Sequence, residues 1–150
     1  DGVMTLTLIK SGIEPNPTAD QEEHTFTYAL YPHAEGWRRA NTVQEAMKLN
    51  QPLLSEEGGQ AGCQNSFVWV DKSNVIIETV KMAEDDDGII VRLYESENAK
   101  TKAHIFFGEK ISSVESCNCL EEIKQTIETD GEGFEITVKP YEIQTYRVRF

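Results

Sequence analysis

The chain has 150 residues, a hydrophobic fraction of 39% and a formal net charge of -12. This length fits one domain, and the apolar fraction is sufficient for a buried core, so disorder throughout the chain is not expected. The strong negative charge argues against nucleic acids and anionic membrane surfaces as partners, because both require a basic protein face. No apolar run approaches the roughly 20 residues that a membrane-spanning helix needs. We therefore expect no nucleic-acid partner and no membrane partner.

The first part of the chain contains two strand-like patterns separated by a proline-containing break. Apolar and polar residues alternate over residues 4–9, which predicts a first strand, and Pro15 and Pro17 then exclude a helix or a central strand. Residues 24–31 alternate strictly and predict a second strand with one buried face, which ends at Pro32 because proline cannot donate to a strand ladder. Three large side chains are expected on that buried face: Phe26, Tyr28 and Leu30.

A short helix is predicted over Thr42–Asn50, with Asn41 or Thr42 as its N-cap. Its apolar positions fall three and four residues apart, which predicts one buried face. Residues 55–65 are rich in glycine and acidic residues and are expected to form an exposed loop. A domain boundary could fall in this loop, but neither side is large enough to favour two independent domains, so a single domain over residues 1–150 is predicted.

The rest of the chain is dominated by short strand patterns separated by turn residues. Residues 86–88 (Asp-Asp-Gly) predict a tight hairpin, since Asp and Gly tolerate positive φ. Residues 120–127 are ambiguous between helix and strand. Strands are predicted at residues 67–70, 75–82, 89–94, 104–107, 111–114, 134–138 and 143–150, with 104–107 and 111–114 forming a pair around Gly108. Many short strands and one short helix predict an all-β fold, specifically an antiparallel β-sandwich.

The cysteines and histidines do not form a metal-binding pattern. Cys117 and Cys119 have one residue between them, whereas structural zinc sites usually have two to four, and Cys63 would have to reach them across the fold. The three histidines (His24, His33 and His104) could converge on a metal, but a structural role is the stronger interpretation for each. We therefore predict no metal site in this chain.

The acidic residues offer two further hypotheses. Residues 84–87 (Glu-Asp-Asp-Asp) could bind calcium, but they lack the alternating pattern of an EF-hand loop, so a charged hairpin tip is favoured. Glycosidase chemistry needs two carboxyl groups that flank a sugar, and 26 acidic residues always allow such a pair on paper. Nothing in the sequence selects one pair, so no catalytic residue is assigned.

Two tryptophans provide the flat apolar rings on which sugars stack. Trp69 falls within an alternating strand and is interpreted as a core residue. Trp37 is predicted to lie in a loop beside Arg38 and Arg39, which makes it the candidate carbohydrate-binding residue. The odd number of cysteines fits reduced thiols in a cytoplasmic protein better than a disulfide framework, so a cytoplasmic location is predicted.

Several stretches resemble one protein family in the same order along the chain. Residues 24–33 read His-Thr-Phe-Thr-Tyr-Ala-Leu-Tyr-Pro-His, residues 50–53 Asn-Gln-Pro-Leu, residues 80–84 Val-Lys-Met-Ala-Glu and residues 92–95 Arg-Leu-Tyr-Glu. These stretches are similar to the C-terminal half of glycoside hydrolase family 38 α-mannosidases of the bacterial and cytosolic type. Glu22 stands where the family pattern has glycine, so the turn before residues 24–31 is expected to differ in shape.

The resemblance implies the C-terminal β-sandwich domain of a larger α-mannosidase, a retaining glycosidase that releases α-linked mannose. In this family the nucleophile and the sugar-coordinating zinc belong to an N-terminal catalytic domain, so this chain alone is expected to be inactive and to hold no cofactor. The implied partners are the parent's own N-terminal catalytic domain and a mannose-containing glycan. The implied role is support of the catalytic domain, with glycan binding left open. The alternative is an autonomous carbohydrate-binding or adhesion β-sandwich.

Overall fold

A computed structural model describes residues 2–55, 57–58 and 66–150. The chain divides into two compact units, residues 1–52 and residues 53–150. All strands of the described residues belong to the second unit, and the single α-helix among them belongs to the first. No helix of the described residues is both long and apolar enough to cross a membrane.

The second unit consists of two antiparallel sheets. Its strands in chain order are β1 (Val68–Val70), β2 (Val75–Met82), β3 (Ile89–Glu95), β4 (Thr101–Phe107), β5 (Ser113–Cys117), β6 (Ile123–Ile127), β7 (Gly133–Val138) and β8 (Ile143–Arg149). One sheet has the order β1-β4-β7, and the other has the order β2-β3-β8-β5-β6. Every neighbouring pair is antiparallel.

The core lies between these two sheets, because alternate residues of each strand point inward. In β4 and β7 the inward positions are fully or almost fully buried, whereas the intervening positions are more exposed. One hydrophobic cluster joins both sheets: the three-stranded sheet contributes Ile105, Phe107, Phe134, Ile136 and Val138, and the five-stranded sheet contributes Val75, Val91, Leu93, Val114 and Val148. The all-β antiparallel sandwich with one short helix is therefore confirmed.

The hairpin between β2 and β3 has the predicted turn chemistry. Asp86 and Gly88 have positive φ angles of 59° and 90°, and the Ala83 amide donates to the Gly88 carbonyl over 3.0 Å. A Cβ atom at Gly88 would lie 2.5 Å from the carbonyl oxygen of Val148. Glycine is therefore required both by the backbone conformation and by the closeness of β8.

Two details of the strand assignment differ from the sequence prediction. Residues 104–107 and 111–114 were expected to pair, but β4 and β5 lie in different sheets. The segment that contains Gly108 crosses from one sheet to the other, as some connections of a two-layered sandwich must. Within the ambiguous segment 120–127, residues 123–127 form β6 at the edge of the five-stranded sheet beside β5, whereas Glu121 has a left-handed φ of 65° in the preceding turn.

In the first unit the two predicted strands are absent. Residues 4–9 and 24–31 carry no strand assignment, and the three side chains expected on a buried face are exposed: Phe26 by 45%, Tyr28 by 71% and Leu30 by 74%. Alternation favours an extended backbone, but a strand also requires a neighbour to accept and donate the ladder hydrogen bonds. No segment of the described residues supplies that neighbour.

The helix α1 (Thr42–Asn50) has the predicted bounds. Asn41 is its N-cap residue, with a left-handed φ of 52° and no side-chain capping hydrogen bond. Lys48 and Glu45 pair over 2.6 Å on the helix surface. The expected buried face is wrong, since no residue of α1 is buried.

Candidate functional site

Trp37, the tryptophan selected from the sequence, lies in a turn directly before α1. Its side chain is 41% exposed, and its carbonyl accepts a hydrogen bond from the Thr42 amide over 3.1 Å. The guanidinium carbon of Arg38 lies 4.8 Å from the centroid of the Trp37 ring. This cation–π contact occupies one face of the indole, which leaves less of the ring for a ligand. Sugar binding at Trp37 stays a prediction.

Trp69 is exposed, contrary to its interpretation as a core residue. It occupies the central position of β1 on the outer face of the three-stranded sheet, and 42% of its surface is exposed. Val68 and Val70 take the inward positions and pack against the core cluster. The alternation was recognised in the sequence, but its phase was not, because the valines on either side are equally compatible with either face.

Trp69 belongs to an aromatic platform, which we define as Trp69, Phe106 and His104. Trp69 and Phe106 are directly opposite each other on β1 and β4, and their rings lie 5.5 Å apart with an angle of 12° between their planes. The His104 ring follows Phe106 along β4, with a centroid distance of 4.2 Å. The three rings therefore form one continuous array on the outer face of the sheet.

Glycine and aspartate residues hold this platform in place. A Cβ atom at Gly133 would lie 2.5 Å from His104 Nε2, so the absence of a side chain there lets the imidazole lie against β7. Asp71 fastens β1 to β4: its amide donates to the His104 carbonyl over 3.2 Å, and its Oδ1 accepts from the His104 amide over 2.8 Å. Asp71, two residues after Trp69, is therefore joined to the His104 backbone by two hydrogen bonds, which fix the end of β1 beside β4.

Charged groups surround the platform. Asp130 Oδ1 accepts hydrogen bonds from the Glu132 and Gly133 amides, and these bonds hold the pKa of Asp130 below its usual value. Asp130 Oδ2 lies 3.8 Å from His104 Nε2, which is beyond hydrogen-bond distance. Glu135 lies directly opposite His104 and pairs with Lys102 over 2.7 Å. The three rings of the platform thus have two carboxylates beside them, Asp130 and Glu135.

The described histidines and cysteines are not grouped as three potential metal ligands around one point. His24 and His33 each contact a nearby backbone carbonyl, of Asp20 and of Glu35 respectively, while His104 lies on the sheet. Cys117 is a buried free thiol whose pKa is raised by burial, and Cys119 is an exposed free thiol. Cys63 lies outside the described residues. Within the part of the chain that the structure describes, no three His, Cys, Asp or Glu side chains could hold a metal ion.

The acidic hairpin tip is engaged by arginines of β8. Asp85 Oδ2 accepts from Arg147 Nη1 over 2.7 Å, and Asp87 accepts from Arg149 over 2.8 and 2.9 Å. These hydrogen bonds lower the pKa values of both carboxyl groups. Two of the carboxylates proposed as calcium ligands are therefore used in ion pairs within the sheet, which favours the structural interpretation.

Glu121 forms a second ionic group beside this tip. Its carboxylate, which is 6% exposed, pairs with Lys81 over 2.8 Å and accepts from the Glu84 amide over 2.8 Å. The hydrogen bond from Lys81 is the main reason that the pKa of Glu121 is lowered. Glu121 therefore ties the segment before β6 to the end of β2.

Glu95 is an anchor that the sequence did not reveal. It is 1% exposed, and its carboxylate accepts hydrogen bonds from Asn74 Nδ2 (2.9 Å) and from the amides of Glu97 (2.8 Å) and Tyr141 (3.0 Å). Burial alone would raise the pKa of Glu95, but these hydrogen bonds outweigh it and lower the pKa. The available signal was its position: Glu95 shares the inward register of β3 with Leu93.

The matching family model and the similar curated proteins indicate the same family. Residues 74–146 match the family model of the glycosyl hydrolases family 38 C-terminal beta sandwich domain. The chain is 30% identical to alpha-mannosidase G of Dictyostelium discoideum over 97% of this chain and 14% of that protein. It is 27% identical to alpha-mannosidase 2C1 of Mus musculus over 95% of this chain and 14% of that protein. For alpha-mannosidase 2C1 of Homo sapiens, the identity is 31% over 79% of this chain and 12% of that protein.

The fold and the family match agree on the class of the second unit: it is an antiparallel β-sandwich, and its matching family is that of the glycosyl hydrolases family 38 C-terminal beta sandwich domain. Residues 74–146, which run from the start of β2 into β8, are a family 38 C-terminal β-sandwich domain of the kind found in α-mannosidases. The resemblance seen in the sequence is thereby confirmed. The chain spans only about one seventh of the length of the first two curated relatives.

Proposed function

We propose that this chain is the non-catalytic C-terminal part of a longer α-mannosidase and that it supports the catalytic domain. The parent would release α-linked mannose from glycans, with the sugar-coordinating zinc held by the N-terminal catalytic domain. The family of residues 74–146 and the length of the relatives support this assignment. The two free thiols, Cys117 and Cys119, fit the cytoplasmic location that we propose.

One observation carries the support role: residues 4–9 and 24–31 have strand sequences but no strand partner among the described residues. Every residue of both segments is exposed, and Met4, Tyr28 and Leu30 are 71–82% exposed. An extended segment with alternating large side chains readily adds to the edge of another sheet, because both ladder bonds and side-chain burial are gained at once.

The remainder of the parent is the partner that fits these segments best. The first two curated relatives are about seven times longer than the matched region, so a large part of such a protein is available to supply a sheet edge. Pairing there would convert the exposed row of Phe26, Tyr28 and Leu30 into a buried face. In this arrangement residues 2–33 attach the sandwich to its neighbour.

The autonomous carbohydrate-binding module remains the second candidate function. The aromatic platform favours it, because Trp69 is exposed beside the half-buried rings of Phe106 and His104, and exposed flat rings are the features that such modules use. A support domain can also bind sugar, so the two functions differ mainly in whether the catalytic domain needs this chain.

The support role is tested by deletion and complementation in the parent. We expect the parent without residues 1–150 to lose stability and α-mannosidase activity, and co-expression of the chain to restore both. The chain alone with added zinc should not hydrolyse an aryl α-mannoside, because no catalytic residue is assigned to it. A truncated parent that remains stable and fully active would contradict the support role, and so would failure of the separate chain to associate with it.

A further inference from the structure

We propose that the aromatic platform of Trp69, Phe106 and His104 is a binding site for a neutral pyranose, namely an α-linked mannoside. The choice of mannose, and only that choice, rests on the proposed function. The site lies on the outer face of the three-stranded sheet and does not include Trp37, the residue that the sequence favoured.

The ring geometry suits a sugar. Phe106 lies along one side of the Trp69 indole, at 5.5 Å and 12°, and β1 is an edge strand of the three-stranded sheet. No further strand of this sheet lies beyond Trp69 among the described residues, so that side of the indole is open within the second unit. The apolar C–H face of a pyranose can stack there and bury area on both partners, because an aromatic ring contributes a large contact surface with few rotatable bonds.

The site is also held rigidly before any ligand arrives. His104 packs on Phe106 at 4.2 Å, Gly133 leaves room for the imidazole, and Asp71 closes β1 onto β4 through two hydrogen bonds to the His104 backbone. A ligand that binds such a surface does not have to order mobile side chains first. Weak stacking interactions can therefore produce measurable affinity.

Carboxylates beside the rings supply acceptors for sugar hydroxyl groups. Asp130 is 60% exposed, and its Oδ2 is not needed for the turn, because both amide donors of that turn bind Oδ1. Glu135 and Lys102 add an acceptor and a donor on the same face of the sheet. Ionised carboxylates accept hydroxyl hydrogen bonds strongly. The polar groups beside the rings, Asp130, Glu135 and Lys102, therefore favour a polyol over a purely apolar ligand.

The charge of the surroundings helps to select the class of ligand. Exposed aromatic rings also bind the bases of single-stranded nucleic acids, but such sites combine the rings with a basic groove. Here the carboxylates of Asp71, Asp130 and Glu135 outnumber the two lysines that pair with them, Lys72 and Lys102, and the whole chain has a net charge of -12. A neutral sugar is compatible with this field, whereas an anionic ligand is repelled.

The test uses the 150-residue chain and its two tryptophans as separate reporters. Trp37→Phe leaves Trp69 as the only tryptophan, and Trp69→Phe leaves Trp37. Each is titrated with methyl α-mannopyranoside and α-mannobiose, with glycerol at equal concentration as the control for a non-cyclic polyol. We expect a saturable change in Trp69 emission with a midpoint on the order of 1–10 mM, a range ordinary for weak single-site binding.

Two further variants locate the site. Trp69→Ala should weaken mannoside binding, measured by calorimetry, by about tenfold or more, since a central aromatic ring dominates small binding sites. Asp130→Asn keeps an oxygen acceptor for the turn but removes the charge and the second carboxylate oxygen, so we expect about a threefold to tenfold loss of affinity. The two turn hydrogen bonds become weaker, so the temperature of thermal unfolding should fall slightly while the fold is kept. Trp37→Ala is the matched control and should leave the affinity unchanged.

Three results would overturn the proposal. The first is the absence of saturable binding in the millimolar range, and the second is binding that Trp37→Ala abolishes while Trp69→Ala does not. The third is shielding of Trp69 from acrylamide quenching in the intact parent, because the face would then be an interface with another domain. None of these outcomes affects the deletion and complementation test, so failure of the sugar site and failure of the support role can be told apart.

Discussion

Residues 1–52 and 53–150 contain the same kind of sequence pattern but use it differently. In the second unit each alternating segment has an antiparallel neighbour, as β4 has between β1 and β7. In the first unit residues 24–31 alternate just as strictly, yet they have no partner strand in the described part of the chain. Alternation therefore predicts which residues can share a face, and the presence of a neighbouring strand determines whether that face becomes buried.

The difference predicts very unequal responses to the removal of an aromatic ring. Phe134 is 1% exposed and packs against Phe107 and Tyr146, so Phe134→Ala should lower the free energy of unfolding by about 3–5 kcal/mol through lost burial and a cavity. Tyr28→Ala, at a site that is 71% exposed, should change it by less than about 0.5 kcal/mol. Urea titrations of both variants measure the contrast, and equal losses would show that residues 24–31 are packed after all.

Glycine substitutions sharpen the same contrast. A Cβ atom at Gly133 would lie 2.1 Å from the Ile105 carbonyl oxygen and 2.5 Å from His104 Nε2, so Gly133→Ala should destabilise the sandwich by about 1–3 kcal/mol. A Cβ atom at Gly36 would have no neighbour within 4 Å, so Gly36→Ala should be neutral or slightly stabilising. Thermal unfolding compares the two. A Gly133→Ala protein as stable as the original chain would refute the close packing of β4 against β7.

The buried carboxylate of Glu95 predicts a dependence of stability on pH. Its pKa is lower in the folded state than the ordinary value of 4.5, so the unfolded state binds more protons in the interval between the two values. The stabilisation is therefore complete above about pH 4.5 and is lost as the pH falls through the folded-state pKa.

Glu95→Gln removes this titration and should cost about 1–3 kcal/mol at neutral pH, because charged hydrogen bonds are replaced by weaker ones. The gap between the original chain and the variant should shrink on acidification, as measured by urea unfolding at several pH values. Lys102→Gln, at an exposed ion pair on the other sheet, serves as the control. A gap that does not change with pH would mean that Glu95 does not act as a carboxylate anchor.

The smallest effect is expected on the outer face of the three-stranded sheet. Lys102 and Glu135 are 67% and 61% exposed, so their ion pair is largely screened by water and salt. A double-mutant cycle with Lys102→Gln and Glu135→Gln should give a coupling energy below about 0.5 kcal/mol. A coupling energy well above about 1 kcal/mol would show that the Lys102–Glu135 pair is desolvated, contrary to its exposed position on the sheet.

Local signals in the sequence were sufficient for the sandwich class but not for its layers. The hairpin at residues 86–88 was predictable because Asp and Gly permit the positive φ angles that the turn requires. The separation of β4 from β5 was not predictable, since a short connection through Gly108 suits either a hairpin or a crossing between sheets. Which one forms is decided by long-range packing of Phe107, Phe134 and the other core residues.

The candidate site residues, too, were predictable from local sequence only in part, because their arrangement depends on long-range strand pairing. Trp69 and Trp37 were both recognised as aromatic candidates, but the phase of β1, which turns Trp69 outward, depends on its pairing with β4. Phe106 and His104 join Trp69 only through that register. Glu95 lies in the inward register of β3, yet a single carboxylate at a strand end gives no local sign that three separate groups donate hydrogen bonds to it.

Amide hydrogen exchange over residues 24–31 tests the central claim most directly, namely that this segment is a strand whose partner lies elsewhere in the parent. In the 150-residue chain we expect these amides to exchange freely, while those of β3, β4 and β8 are protected. In the intact parent the amides of residues 24–31 should become protected as well, because ladder hydrogen bonds remove them from water. Protection in the isolated chain, or free exchange in both proteins, would contradict the account.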